Sequence, residues 1–218
     1  YTTNLFKGLT MTSNDVNAIA DQLGEQPKMG DIKKLAKTIK KDHELALALW
    51  ATGTFPLRML AALIFDKTLI DQEFADSLAD DLAAHDESEK NQITDWLLAN
   101  QFTKSKKTIQ LLESWQQAKS PVLRRLFWYH QARLRWTGQT PPDNTEALLE
   151  ALEQDITQSE PEVQWAMNFT AGQIGIHDKQ HRNRCIKLGE TTGLYKEEKV
   201  PRGCTPNYLP EFIRIEVA

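Results

Sequence analysis

Two stretches of the sequence lie 40 residues apart and align without a gap: SPVLRRLFW at residues 120–128 and EPEVQWAMN at residues 160–168. Each has proline at its second place, where the fixed φ of proline and its missing N–H suit the first turn of a helix. Apolar residues follow at helical spacing in both. A third stretch, FPLRMLAAL from residue 55, shows the same pattern after a slip of one place. We therefore predict a helix that is repeated along the chain.

The rest of the 218-residue chain has the same periodicity. Apolar residues recur every three or four positions in most segments, and strand-like alternation occurs only in FIRIEVA near the end. A 40-residue spacing is typical of the helix pairs of HEAT and armadillo repeats, which stack into a superhelix and usually bind on its concave face. We predict an all-α helical-repeat solenoid, one domain over residues 1–218, with residues 195–218 as an irregular tail packed on the last repeat.

Composition and charge limit the classes of function that the chain can have. The chain has 26 basic and 30 acidic residues and a formal net charge of −4, so a surface for polyanions would have to be local. No apolar run approaches the roughly 18 residues of a membrane-spanning helix. The start YTTNLFKGLTMTSND lacks the order of a signal peptide, and Cys185 and Cys204 do not make a disulfide framework. We expect a cytoplasmic protein with no membrane partner.

The predicted helix within residues 120–138 combines arginines with aromatic rings and contains no carboxylate. At about 100° per residue, one side is an apolar stripe. A second side groups Arg125, Tyr129 and Trp136, and a third groups Arg124, Trp128 and Arg135. The apolar stripe consists of Leu123, Leu126, Phe127, His130 and Leu134.

The 40-residue repeat places Trp165 and Phe169 where Arg125 and Tyr129 stand in the preceding unit. Guanidinium groups suit phosphates, and ring faces suit bases or sugars. The residues thus indicate a surface for a polyanion. The other interpretation is that the rings pack between repeats and the arginine stems lie over them. Both interpretations remain open at this level.

Three further patterns carry charge or metal-binding side chains. The segment GDIKKLAKTIKKD predicts a basic helix face that includes Lys33 and Lys37, which either is solvated or holds phosphates. Residues 71–89 contain eight carboxylates and are expected on the convex face or at a protein contact. Candidate metal ligands occur at i, i+4 and i+8: His177, His181 and Cys185. No fourth ligand is evident nearby, and we expect no metal site.

The segments GDIKKLAKTIKKDHELALALWATGTFPLRMLAALIFD, SPVLRRLFWYHQARLRWTG and EVQWAMNFTAGQIG resemble the HEAT-like-repeat bacterial DNA alkylation repair family, the AlkD-like alkylpurine DNA glycosylases. The resemblance runs from about residue 30 to about residue 189. It implies an all-helical crescent that clasps duplex DNA on its concave face and releases positively charged 3- or 7-alkylpurines, with no metal or cofactor. In such enzymes a carboxylate near the sugar stabilises the developing oxocarbenium ion, and aromatic rings contact the backbone beside the lesion.

Carried over residue by residue, the resemblance places the family's phosphate-contacting arginine on Arg125 and one of its tryptophans on Phe169. The other tryptophan and the catalytic aspartate fall on Glu87 and Asn91 in ESEKNQITDWLL. An asparagine cannot supply the negative charge, so we expect base release to be slow or absent. Asp95, one helical turn further on, is the alternative carboxylate if the local register differs.

These interpretations converge on duplex DNA as the partner and on one set of DNA-binding residues. The set is Arg124, Arg125, Trp128, Tyr129, Trp165, Phe169, Lys33 and Lys37. The alternative function is a non-enzymatic helical-repeat scaffold whose aromatic face binds a protein partner. DNA binding that weakens steeply with salt would distinguish the first function, because counterions released from the phosphates set the salt dependence.

Overall fold

The computed structural model describes residues 13–218, and all the regular secondary structure in this range is helical. The first twelve residues of the predicted domain lie outside it. Twelve α-helices and three short helical turns are present, and the described range contains no strand. The prediction of an all-α protein is confirmed. Among the described helices, none combines the length and the apolar character needed to cross a bilayer.

The chain divides into two compact units, residues 1–113 and 114–218. The helices of the first unit are α1 (Ser13–Leu23), α2 (Met29–Ile39), α3 (His43–Ala51), α4 (Phe55–Ile64), α5 (Gln72–Ala83), α6 (Glu87–Leu97) and α7 (Lys106–Ser114), the last of which ends at the boundary. Those of the second unit are α8 (Pro121–Trp136), α9 (Thr145–Asp155), α10 (Pro161–His177), α11 (Arg182–Thr192) and α12 (Leu209–Val217). The short turns are Lys67–Leu69, Leu98–Phe102 and Trp115–Gln117.

In the first unit, α4 and α6 pack against each other, and a side-chain amide joins their ends. Pro56 lies in the first turn of α4, as predicted. The last turn of α6 widens into a π-turn over Leu98–Phe102. There the Gln101 side chain donates to the backbone carbonyls of Ala62 and Phe65, at 2.8 and 3.3 Å. These bonds satisfy carbonyls that the end of α4 would otherwise leave unpaired, and they fix α6 beside α4.

In the second unit, α8 and α10 pack side by side, and each begins at the proline that the repeat predicts. The Thr170 hydroxyl on α10 donates to the Trp128 carbonyl on α8 at 2.7 Å. The predicted apolar stripe of α8 is buried: Leu123, Leu126, Phe127, His130 and Leu134. Burial, reinforced by the charge of Arg133, lowers the pKa of His130 to about 4, so this core ring is neutral at pH 7.

The C-terminal segment, expected to be irregular, ends in the helix α12. Residues 194–208 are mostly irregular, and α12 then packs on α10 and α11. Glycines make this contact close, because a Cβ at Gly189 would lie 2.6 Å from Pro210 Cδ and 2.7 Å from Leu209 Cβ. Gly172 and Gly175 are similarly close to α12 side chains.

Candidate nucleic-acid interface

Five aromatic side chains of the second unit form a connected group that we call the aromatic row: Tyr129 and Trp136 on α8, Trp165 and Phe169 on α10, and Phe212 on α12. Trp165 and Phe169 are four residues apart, which places them on one helix face. Their rings stack with centroids 5.3 Å apart and planes 12° apart. Tyr129 lies 5.8 Å from both. The repeat alignment therefore predicted correctly that Tyr129 lies beside Trp165 and Phe169.

Arg125 lies beneath this row and is only 4% exposed. Its Nη1 donates to the Glu162 carbonyl at 2.9 Å, and its guanidinium carbon lies 4.8 Å from the centre of the Trp165 ring. The same guanidinium is 5.9 Å from the Tyr129 ring. A cation this deeply buried is not a surface charge in this structure. We therefore assign Arg125 the role of positioning Trp165 in this structure. The phosphate contact expected from the sequence stays a prediction.

Tyr195 interacts with the charge of Arg125 and was not selected from the sequence. It is half-buried, and its backbone φ of +62° lies in the left-handed region, which is uncommon for a residue other than glycine. Burial raises the pKa of Tyr195, Glu198 adds to the rise, and the charge of Arg125 opposes it. No local periodicity marks such a residue, because it lies in the irregular segment that follows α11.

On the third side of α8, Trp128 is buried and Arg124 is half-buried. Trp128 is 2% exposed and packs edge-on against Phe127. Arg124 donates to the carbonyls of Ala118 and Lys119 at 2.7 and 3.0 Å and forms an ion pair with Glu160. For Trp128 the packing interpretation is correct, and Arg124 ties the start of α10 to the segment before α8. A DNA contact by Arg124 stays a prediction.

In the first unit, the structure brings the basic face of α2 to a tryptophan on α6. Lys33 Nζ lies 5.2 Å from the centre of the Trp96 ring, and the Trp96 indole N–H donates to the Met59 carbonyl at 3.0 Å. Lys37 is exposed one turn further along α2. This pair repeats, on a smaller scale, the combination of a cation and a ring that Arg125 makes in the second unit.

The two candidates for the family's catalytic position lie one turn apart on α6, and both are half-buried. The Oδ1 atom of Asn91 is buried and accepts no hydrogen bond within residues 13–218. Asp95 adjoins Trp96 in sequence. Glu87, at the place of the family's second tryptophan, is exposed and forms an ion pair with Lys90 at 2.8 Å. The alignment of Glu87 with that tryptophan stays a prediction.

The remaining charged patterns serve the fold in the described part of the chain. Asp71 and Asp86 of the acidic segment accept N-terminal hydrogen bonds at α5 and α6. The three candidate metal ligands do not converge, and the described residues hold no group of three side chains that could bind a metal. Cys185 is fully buried, which raises the pKa of its thiol to about 12. His181 forms ion pairs with Asp178 and Glu146.

Comparison with known proteins places this geometry in a family. The model of the DNA alkylation repair enzyme family matches residues 27–196. A solved structure, described as that of "a new family of proteins related to the HEAT-like repeat DNA glycosylases with affinity for branched DNA structures", is similar over 93% of this chain and 87% of the other, with a TM-score of 0.65 and 18% identity. At that identity the likeness shows the fold. No curated protein matches.

The family model covers most of the chain, including both prolines that begin α8 and α10 and four rings of the aromatic row. The similar solved structure has the repeat architecture that the 40-residue spacing predicted, which confirms that prediction. The chain has the HEAT-like repeat fold and belongs to the DNA alkylation repair enzyme family.

Proposed function

We propose that this protein binds DNA through the aromatic row and that it releases alkylated bases slowly or not at all. The observation that carries the first half is the stacked pair of Trp165 and Phe169, with Arg125 beneath it, in a member of a DNA repair family. Ring faces stack on bases and pack against sugars regardless of sequence. A buried guanidinium that orients such a ring makes the surface rigid before DNA arrives, which lowers the entropy lost on binding.

Lysines of the first unit are the proposed phosphate contacts. Lys33 and Lys37 project from α2 as exposed residues, and Lys33 lies over Trp96. Because the whole chain is slightly acidic, DNA must be attracted by local positive charge of this kind. Each lysine that neutralises a phosphate adds about one unit to the salt dependence of binding.

The second half of the proposal rests on Asn91. An amide is neutral and cannot stabilise a developing oxocarbenium ion as a carboxylate does. Loss of one preorganised electrostatic group typically lowers a rate roughly a hundred- to a thousand-fold. Asp95 is the nearest carboxylate along α6, and it would substitute only if the DNA were seated one helical turn further along.

The form of DNA is a separate question, for which the related structure supplies a candidate. The protein of that structure is described as having affinity for branched DNA, whereas the family resemblance implies duplex DNA. We therefore propose that both forms bind, and we expect a difference between them to arise at the branch point, where the continuous stacking of the duplex is interrupted.

Fluorescence anisotropy with a labelled duplex and a four-way junction, across a salt series, tests this proposal. We expect binding that weakens steeply with salt. Trp165→Leu should weaken it by about 5- to 150-fold, and Trp165→Phe should weaken it less, because a ring remains. Leu69→Ala, which removes an exposed apolar side chain of the first unit, is the matched control.

Absence of binding to either DNA at low salt would overturn the proposal. In that case the protein-partner scaffold is the remaining function, because the same rings would serve as an apolar contact surface. Single-turnover release of 7-methylguanine tests the catalytic half, and rapid release by the natural protein would contradict it.

A further inference from the structure

Trp136 differs from the other members of the aromatic row because it is open to solvent. It is 55% exposed, whereas Tyr129, Trp165, Phe169 and Phe212 are half-buried. Its ring meets Phe169 edge to face, with centroids 6.3 Å apart and planes 80° apart. The indole therefore continues the row outward from the packed rings. An isolated exposed tryptophan would need no explanation, but one that extends a connected aromatic surface indicates a binding site.

A half-buried arginine lies near Trp136 at the end of α8. The Arg133 guanidinium lies 6.0 Å from the centre of the Trp136 ring and forms no ion pair within the described range. The helix carbonyls that would oppose this charge are occupied. Arg133 O accepts from the Thr137 N–H and hydroxyl at 2.9 and 2.6 Å, and Leu134 O accepts from the Gln139 N–H at 2.8 Å.

These features match the two parts of a nucleotide. An indole can stack only on a base that has a free face, and bases inside a continuous duplex have none. An unpaired base in a gap or a flap has such a face, because no neighbouring base is held against it. A guanidinium one turn from the ring binds phosphate well, and phosphate is the part that every nucleotide shares. The exposed ring supplies the stacking surface that sequence-tolerant sites for single strands use.

We propose that Trp136 and Arg133 form a subsite for one unpaired DNA nucleotide, in which the indole stacks on the base and the guanidinium binds the adjacent phosphate. This inference rests on the proposed DNA binding and makes it more specific: the aromatic row holds the DNA, and its exposed end selects DNA that has an unpaired base. A protein partner would also bury Trp136, but it would not require the unpaired cation beside the ring.

The test compares two linear duplexes of the same sequence, one of which has a short single-stranded gap containing 2-aminopurine. The two duplexes have identical ends, so binding to the ends contributes equally to both affinities. The natural protein should bind the gapped duplex more tightly, by about 5- to 150-fold, and should quench the 2-aminopurine emission. Trp136→Leu should abolish the preference and the quenching, because it should weaken binding to the gapped duplex more than binding to the ungapped duplex. Trp136→Phe should retain part of the preference for gapped DNA and part of the quenching, because a ring remains.

Arg133→Gln tests the phosphate contact. It should lower the salt dependence of binding to gapped DNA by about one unit, whereas Lys106→Gln, which removes an exposed charge on α7, should not. Thermal unfolding of each variant shows whether it is folded, and Trp136→Phe provides a test even if Trp136→Leu is unstable. Equal binding of both duplexes without quenching would overturn the subsite and leave the proposed function standing. Failure to bind either duplex would overturn both.

Discussion

Replacement of Arg125 by alanine is the most informative change at the aromatic row. The side chain is 4% exposed, its Nη1 donates to the Glu162 carbonyl at 2.9 Å, and its guanidinium lies 4.8 Å from the Trp165 ring. A hydrogen bond from a charged donor contributes about 1.5–3 kcal/mol. A cation–π contact contributes about 0.5–2 kcal/mol. Because the truncation removes both contacts, we expect the free energy of unfolding to fall by about 2–5 kcal/mol.

Urea unfolding of the natural protein and the variant measures this loss. Arg202→Ala is the control, because Arg202 is exposed in an irregular segment and its loss should change stability by less than about 0.5 kcal/mol. Arg125→Lys should restore less than half of the stability that Arg125→Ala loses. Lysine has neither a planar group that can lie on the indole nor the several N–H donors of a guanidinium. A change of less than about 0.5 kcal/mol in Arg125→Ala would refute the assignment of Arg125 as a positioning residue.

The same variant distinguishes two roles in DNA binding. A surface arginine that contacts a phosphate would lower the salt dependence by about one unit when removed. The buried position of Arg125 leads to a different expectation: affinity falls because Trp165 loses its support, and the salt dependence stays unchanged. A lower salt dependence would show that DNA binding exposes the guanidinium.

Three further changes test other parts of the structure. Gly189→Ala should destabilise the docking of α12 by about 1–3 kcal/mol, measured by urea unfolding, because the new Cβ would lie 2.6 Å from Pro210 Cδ. Hydrogen bonds to two carboxylates raise the pKa of His181 above 6.5. The stabilisation that protonated His181 provides is therefore complete below pH 6.5 and is lost as the pH rises through the raised pKa. Thermal unfolding should show this loss of stability in the natural protein and not in His181→Gln. Single-turnover release of 7-methylguanine should increase little in Asn91→Asp, and rapid natural release that Asp95→Asn abolishes would instead identify Asp95 as the catalytic group.

The sequence by itself determined the fold class, the starts of the repeated helices and the apolar stripe of α8. Pro56, Pro121 and Pro161 each lie in a first helical turn, as the aligned stretches predicted. These features are local, because proline sets its own φ and because apolar spacing within one helix depends only on the helical period. The family was also evident from the sequence, because the segments that resemble the family overlap the helices that have these prolines in their first turns.

The tertiary structure decided which rings and cations are available to a ligand. The helical wheel puts Trp128 and Trp136 on different sides of α8, but it does not indicate that one is 2% and the other 55% exposed. Likewise Arg125 is buried under Trp165, and Arg124 is engaged with Glu160 across the boundary between α8 and α10. A helical wheel gives the direction of a side chain but not the neighbour that it meets there. That neighbour comes from a helix about 40 residues away, and only the packing of the two helices determines whether it covers the side chain or leaves it in water.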